Sequence, residues 1–206
     1  MPNKADMKQQ LFSVKDLLRW AVSRFTESQV YFGHGTDNAY DEARGLIGHL
    51  LHLPIELIDT FADARLTQAE RALVLQLIET RCHERIPLAY LTNEAWFMGL
   101  PFTVDERVII PRSPIAELID QGFQPWLSSQ PTSMLDLCAG SGCIGIACAM
   151  HLGSQVDLVE LSPEALALAE HNIQRHQLTA SVKAIESDLF ASVDGRYDLI
   201  VSNPPY

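Results

Sequence analysis

A chain of 206 residues with 47% hydrophobic and 20% charged side chains is long enough to bury a sizeable core and too apolar to remain disordered. Its 15 Lys and Arg against 26 Asp and Glu give a formal charge of −11, which argues against a protein that grips bare nucleic acid over a long footprint, because neutralising phosphates takes clustered cations. No apolar run approaches the ~20 residues that span a bilayer, and the opening MPNKADMKQQ lacks the apolar stretch of a signal peptide. These features predict a cytoplasmic protein with no membrane contact and no direct DNA binding, for which a basic protein is the better-suited partner. The four cysteines, Cys82, Cys138, Cys143 and Cys148, have neither Cys-x-x-Cys spacing nor a His at zinc-finger distance, so they are expected to be reduced, small and buried, and no metal site is expected.

The first half reads as helical. In SVKDLLRWAVSRF the apolar residues Val14, Leu17, Leu18, Ala21, Val22 and Phe25 recur at helical spacing behind a Ser13 cap. DNAYDEARGLIGHLL repeats the pattern behind an expected Asp37 cap, and the Thr67–Glu70 spacing is that of a capping box opening a third helix. Between the first two lies YFGHGTDN, where Gly33 and Gly35 shape a loop and where His34 and Asn38 either serve that loop or touch a substrate.

After Pro87 the pattern changes. EAWFMGLPFTVDERVII is rich in aromatic and β-branched residues and predicts a β-hairpin, with turn signals at Gly99-Leu100-Pro101 and Asp105-Glu106. Ser113 and Pro114 are then expected as N-cap and first residue of a helix through IAELIDQGFQPWL. From Ser133 onward strands and helices alternate with short loops, the signature of a parallel sheet with crossover helices. The expected organisation is a helical region over 1–94, a hairpin connector over 95–112 and an α/β domain over 113–206.

Two loops of that α/β domain carry chemistry. LDLCAGSGCIG places Asp136 at a strand end and Gly140, Gly142 and Gly145 in the turn that enters a helix, a Gly-x-Gly-x-x-Gly pattern that is weak alone. Glu160 closes the next strand, at the offset of about 20 residues where an acidic side chain accepts from ribose hydroxyls. Asp136 sets a carboxylate beside the positive end of a ligand, which suits the amino group of a methionine moiety and not a pyrophosphate, so S-adenosylmethionine is favoured over NAD. Asp188 in ESDLF is positioned to accept from an adenine amino group, with Leu189 as an apolar wall.

The second loop is Asn203-Pro204-Pro205-Tyr206. Ligands of open parallel sheets bind beyond the carboxyl ends of the strands, so this loop and the glycine turn should face one crevice. Proline offers a carbonyl acceptor without a donor; with the Asn203 oxygen, two acceptors would receive the hydrogens of a flat primary amide or exocyclic amine lying on Tyr206. The plain alternatives are a Pro-rich tight turn, and a Gly145 that merely lets a helix pack closely.

From RIPLAYL through AWFMGLPFTVDERVIIPR, DLCAGSGCIG, VELSPEALALAEHN, SDLF and SNPPY, the chain resembles the HemK/Prm family of protein-glutamine methyltransferases, and PRSPIAELI with YFGHGTDNAYDEA is similar to its PrmB-like branch. The resemblance implies a class I S-adenosylmethionine-dependent methyltransferase fold, with a Rossmann-like parallel sheet behind a helical substrate-recognition domain. It also implies methyl transfer to the side-chain amide of a glutamine on the third protein of the large ribosomal subunit. Residue by residue, it assigns Asp136, Cys138, Ala139, Gly140, Gly142 and Glu160 to the cofactor, beside the Asp188 and Leu189 read above. It assigns Asn203, Pro204, Pro205 and Tyr206 to catalysis, with Phe97 beside Asn203 and Tyr206 at the substrate amide. Glu160 stands where Asp is commoner in the family. The family's domain continues past its Asn-Pro-Pro-Tyr with three more strands, so the chain is expected to be C-terminally short, with residues 198–202 on a sheet edge that favours dimerisation or aggregation and a loop too frayed to turn over. Release-factor glutamine methylation, DNA adenine methylation and an inactive binding module are the competing readings.

Overall fold

The computed structural model describes residues 10–33 and 35–205. The chain divides into two compact units, one ending at Thr92 and one beginning at Asn93.

The first unit is helical. Helix α1 (Val14–Glu27) starts in a full capping box: Ser13 accepts from the Asp16 amide while the Asp16 carboxylate accepts from the Ser13 amide. Helix α2 (Ala39–Leu50) is capped by Asn38, whose Oδ1 accepts from both the Tyr40 and Asp41 amides, so the cap falls one residue later than the expected Asp37. This fixes Asn38 as a structural residue of the 29–38 loop. Helix α3 (Gln68–His83) opens in the Thr67–Glu70 capping box, and the short α4 (Leu88–Thr92) ends the unit. Leu17, Phe25, Leu46, Ile47, Ile58 and Ile78 are completely buried between these helices. Among them sits a buried ion pair, Arg81 Nε donating to Glu42 at 2.5 Å, which also holds the loop: Arg81 donates to the Tyr31 carbonyl and Thr36 Oγ1 donates to Glu42. Such a pair organises its surroundings more than it stabilises them, since both charges lose hydration.

The second unit begins with the hairpin β1 (Glu94–Phe97) and β2 (Leu100–Thr103). Its turn is Met98–Gly99, with φ of 49° and 76°, the two left-handed residues of a type I′ turn; Leu100 and Pro101, expected in the turn, are paired in β2. The expected second strand stops at Thr103. Asp105 Oδ1 accepts from the Arg107 amide and turns the chain, so 105–110 is a loop. Helix α5 (Ile115–Asp120) starts later and ends sooner than expected: Pro114 holds the N-cap position, Ser113 Oγ accepts from the Ile115 amide, and Gly122 and Phe123 take left-handed φ just after the helix.

The α/β part follows the expected alternation: β3 (Ser133–Leu137), α6 (Cys143–Leu152), β4 (Gln155–Glu160), α7 (Pro163–Arg175), β5 (Val182–Glu186) and β6 (Leu199–Ser202). The sheet is parallel in the order β5-β4-β3-β6, and β6 lies at an edge among the described residues, as expected for 198–202. Its two ends are tied to β3. The Asp198 carboxylate accepts from Thr132 N, Thr132 Oγ1 and Ser133 N, and Ser202 Oγ donates to the Leu137 carbonyl.

One buried side chain joins the hairpin to this layer. Asn172 of α7 is 0% exposed; it accepts from the Thr103 amide at 2.8 Å and donates to the Thr103 carbonyl at 3.0 Å and to the Ser141 carbonyl at 2.9 Å. Arg175 adds a pair with Glu94, and His176 a contact with the Pro101 carbonyl. Asn172→Ala leaves the Thr103 amide and two carbonyls without their partner, so a loss of about 3 kcal/mol is expected. Urea unfolding measures it, and a midpoint unchanged from the parent chain would show that these bonds are replaced.

Candidate active site: a cleft at the carboxyl ends of the strands

The glycine turn after β3 uses three glycines for three reasons. Gly142 has φ of 77° and caps α6; Gly140 has φ of 54° with nothing within 4 Å of where a Cβ would stand, so it faces open space. Gly145 is tight: a Cβ there would collide with Leu158 of β4. The expected close-packing role of Gly145 therefore holds, beside the turn's open face at Gly140.

Behind the turn, Asp136 is 1% exposed. Its Oδ2 accepts from the Gly145 amide at 2.9 Å, and its Oδ1 is buried without a hydrogen-bond partner among the described residues. Burial pushes its carboxyl up to about 7, against the lowering effect of the Gly145 amide and with a further push from the Glu160 charge. The side chain lies under the turn and does not line the cleft in front of it. Glu160, at the end of β4, is half-buried and held by backbone alone: Oε2 accepts from Gly140 N, and Oε1 from Leu161 N and Ser162 N. A carboxylate has about four acceptor sites, so Glu160 retains capacity for a ligand.

The turn opens into a cleft of about 730 Å³. Cys138, Gly140, Glu160, Asp188, Leu189, Asn203, Pro204 and Pro205 all line it. Their order follows the sheet: Asp188 after β5, Glu160 after β4, Cys138 and Gly140 after β3, and Asn203 after β6. Three inter-strand spacings, about 14 Å, separate the two ends. Ala139 and Gly142 complete the turn without lining the cleft. Cys138 and Leu189 are non-glycine residues in the left-handed region, with φ of 60° and 50°, and both face the cleft. Cys138 thus departs from the expectation of four buried cysteines; Cys82, Cys143 and Cys148 are buried, and burial pushes the Cys143 thiol up to about 12.

One expected residue falls elsewhere. Phe97 is 6% exposed, buried on the inner face of the hairpin, and lines no part of the cleft. Tyr206 and His34 lie outside the described residues. Conversely, the loop Arg107–Ile109 forms a wall that the hairpin reading hid, together with Leu161, Ser162, Ala165 and Ser187. The turn chemistry of Asp105 was the available signal for that loop.

Two family models match: the methyltransferase small domain over 117–206 and the PrmC N-terminal domain over 16–92. A protein of Neisseria meningitidis serogroup B named ribosomal protein uL3 glutamine methyltransferase is 49% identical over 201 residues, 96% of this chain and 66% of that protein. The chain belongs to the HemK/Prm family. A protein of the same name from N. meningitidis serogroup A matches equally, and the chain spans 66% of the length of these curated relatives. The crystal structure of a ribosomal protein L11 methylase from Lactobacillus delbrueckii subsp. bulgaricus is 28% identical, covering 43% of this chain and 45% of that one with a TM-score of 0.37. The fold is that of class I methyltransferases, and S-adenosylmethionine is the cofactor of this domain. The residues fit it: a partnerless buried Asp136 oxygen, an open glycine turn, and acidic groups at the ends of β4 and β5 between apolar walls. Among the described residues no helix is long and apolar enough to cross a membrane.

Asp136 gives stability a defined pH dependence. Its folded carboxyl titrates near 7 and its unfolded one near 3.8, so between those values the folded state binds the extra proton and stability falls as pH rises. From pH 5 to 8 the parent chain should lose about 2 kcal/mol that Asp136→Asn retains. Denaturant midpoints at the two pH values measure the difference, and parallel profiles for the two proteins would contradict it.

Proposed function

We propose that this protein transfers the methyl group of S-adenosylmethionine to the side-chain amide nitrogen of a glutamine in a large-subunit ribosomal protein. One observation carries the reading: Asn203, Pro204 and Pro205 open into the same cleft as Glu160 and the glycine turn, in a chain 49% identical to proteins named for that activity. Bound in the cleft, the cofactor supplies an electrophilic methyl group. Glu160 accepts from the ribose hydroxyls, Asp188 from the adenine amino group beside Leu189, and the backbone of Cys138, Ala139, Gly140 and Gly142 shapes the turn around it. Asp136 holds the start of α6 with Oδ2 from beneath the glycine turn, and so shapes the wall on which the methionine moiety rests.

An amide nitrogen is a weak nucleophile because its lone pair is delocalised. The Asn203 oxygen and the Pro204 carbonyl accept its two hydrogens, hold it in line and return electron density to the nitrogen; Tyr206 supplies the face on which the amide rests. No ionised base is needed first, since the surplus proton becomes acidic once the new bond forms and leaves to solvent. Phe97, buried in the hairpin, supports the fold around the site. The formal charge of −11 favours a basic protein partner, such as a ribosomal protein met in the cytoplasm before assembly.

The test offers labelled cofactor with ribosomal protein uL3, a release factor or DNA. Label on a glutamine of uL3 supports the reading; label on either other acceptor replaces it, and bound cofactor without transfer to any acceptor favours a binding module. Asn203→Ala should lower turnover about 10²-fold while cofactor affinity changes little, because one acceptor on the reacting amide is lost. Normal turnover in that variant would reduce Asn203 to a loop residue. Gly140→Val should abolish cofactor binding in calorimetry, as a β-branched side chain resists φ of 54° and fills the open face of the turn. Retained binding would move the cofactor away from this turn.

A further inference from the structure

Resting on the reading of the cleft as the cofactor site, we propose that Arg107 is an affinity determinant for the adenosyl half of the cofactor. The Asp105 carboxylate holds its guanidinium in a fork: Nε donates to Oδ1 at 2.8 Å and Nη2 to Oδ2 at 2.6 Å. The third nitrogen, Nη1, donates to the Glu164 carbonyl in the first turn of α7 at 3.3 Å. The same Asp105 oxygen that shapes the backbone turn, through the Arg107 amide, thus also fixes the side chain.

Position decides which half of the ligand it serves. Helix α7 follows directly on β4, so the Glu164 carbonyl lies beyond Glu160, Leu161 and Ser162 on the side of the sheet that leads to β5 and Asp188. The reacting end, at Asn203 after β6, lies on the opposite side of the glycine turn. Arg107, Glu160, Leu161, Ser162 and Asp188 all line the cleft, and Glu160 and Asp188 follow the two strands farthest from β6.

The chemistry of that end needs a cation. Glu160 and Asp188 are both acidic, and adenosine is neutral. A planar guanidinium in the wall offers its face to the base by cation–π attraction and its remaining N–H groups to ligand oxygens. The pair with Asp105 is 41% and 31% exposed, so it contributes little to folding; its effect is to hold one orientation of the fork. Arg107 acts on binding, then, and not on the methyl transfer.

Calorimetry with two ligands tests this on the whole chain. S-adenosylhomocysteine carries the full skeleton; 5′-methylthioadenosine carries the adenosyl half without the amino acid. Arg107→Ala should weaken both by the same factor, about five- to tenfold, with an unchanged thermal midpoint. Arg107→Lys should fail to restore affinity, because an ammonium cannot fork onto Asp105. Affinity retained for both ligands, or lost for S-adenosylhomocysteine alone, overturns the assignment while leaving the cofactor cleft in place. A parent chain that binds neither ligand overturns the cleft reading itself, and this inference with it.

Discussion

The three hydrogen bonds of Asn172 tie together parts that the sheet alone would leave independent. A side-chain amide can imitate a strand partner, and Asn172 does so: it meets the amide and carbonyl of Thr103 as a neighbouring strand would, at the point where β2 ends. Its second N–H reaches the Ser141 carbonyl inside the glycine turn. Buried as it is, each of these groups would be costly unpaired, so the hairpin, the turn and α7 have one mutually satisfied arrangement. The loop that follows β2, with Asp105 and Arg107, therefore reaches the cleft from an anchored start.

Around the cleft, backbone donors manage the carboxylates. Asp136 and Glu160 end adjacent strands, yet their surroundings differ: Asp136 is buried and accepts from one amide, while Glu160 accepts from three and lines the cleft. Burial thus pushes the Asp136 carboxyl up to about 7, while Glu160 keeps an open side toward the cleft. Fixing Glu160 against Gly140, Leu161 and Ser162 before any ligand arrives reduces what must be ordered on binding.

Most of the architecture was legible because it rests on local rules. Helical spacing, the Ser13 cap and the Thr67–Glu70 capping box gave α1 and α3, and alternation gave the parallel sheet. The cleft residues Glu160, Asp188 and Asn203 could be read from their places after strands, since a parallel sheet sends every such loop to one edge. What escaped depended on competition between neighbours. Asn38 outcompeted Asp37 because its oxygen reaches two amides, and Met98 entered the turn because a two-residue hairpin demands two left-handed positions, which composition alone does not assign to a methionine. Asn172 gave no local signal at all: an asparagine on a helix looks solvent-facing until its partner, 69 positions away, is known. The pleat of the hairpin and not the residue type likewise decides that Phe97 points inward while Trp96 points out.

The clamps at the two ends of β6 also set an order of assembly. The groups assigned to the cofactor lie between Asp136 and Leu189, within neighbouring strand–helix units whose contacts form over short loops. Asn203 reaches its position only when β6 registers on β3, through bonds such as Ser133 N to Asp198 and Ser202 Oγ to Leu137 that bridge 65 residues of chain. Closing that loop carries an entropic cost that the earlier contacts do not, so the adenosyl end of the cleft can organise before the amide end does. A register slip of one residue would carry Asn203 about 3.3 Å along the sheet and reverse the faces of β6, and the three acceptor bonds of Asp198 at the strand's start select against it.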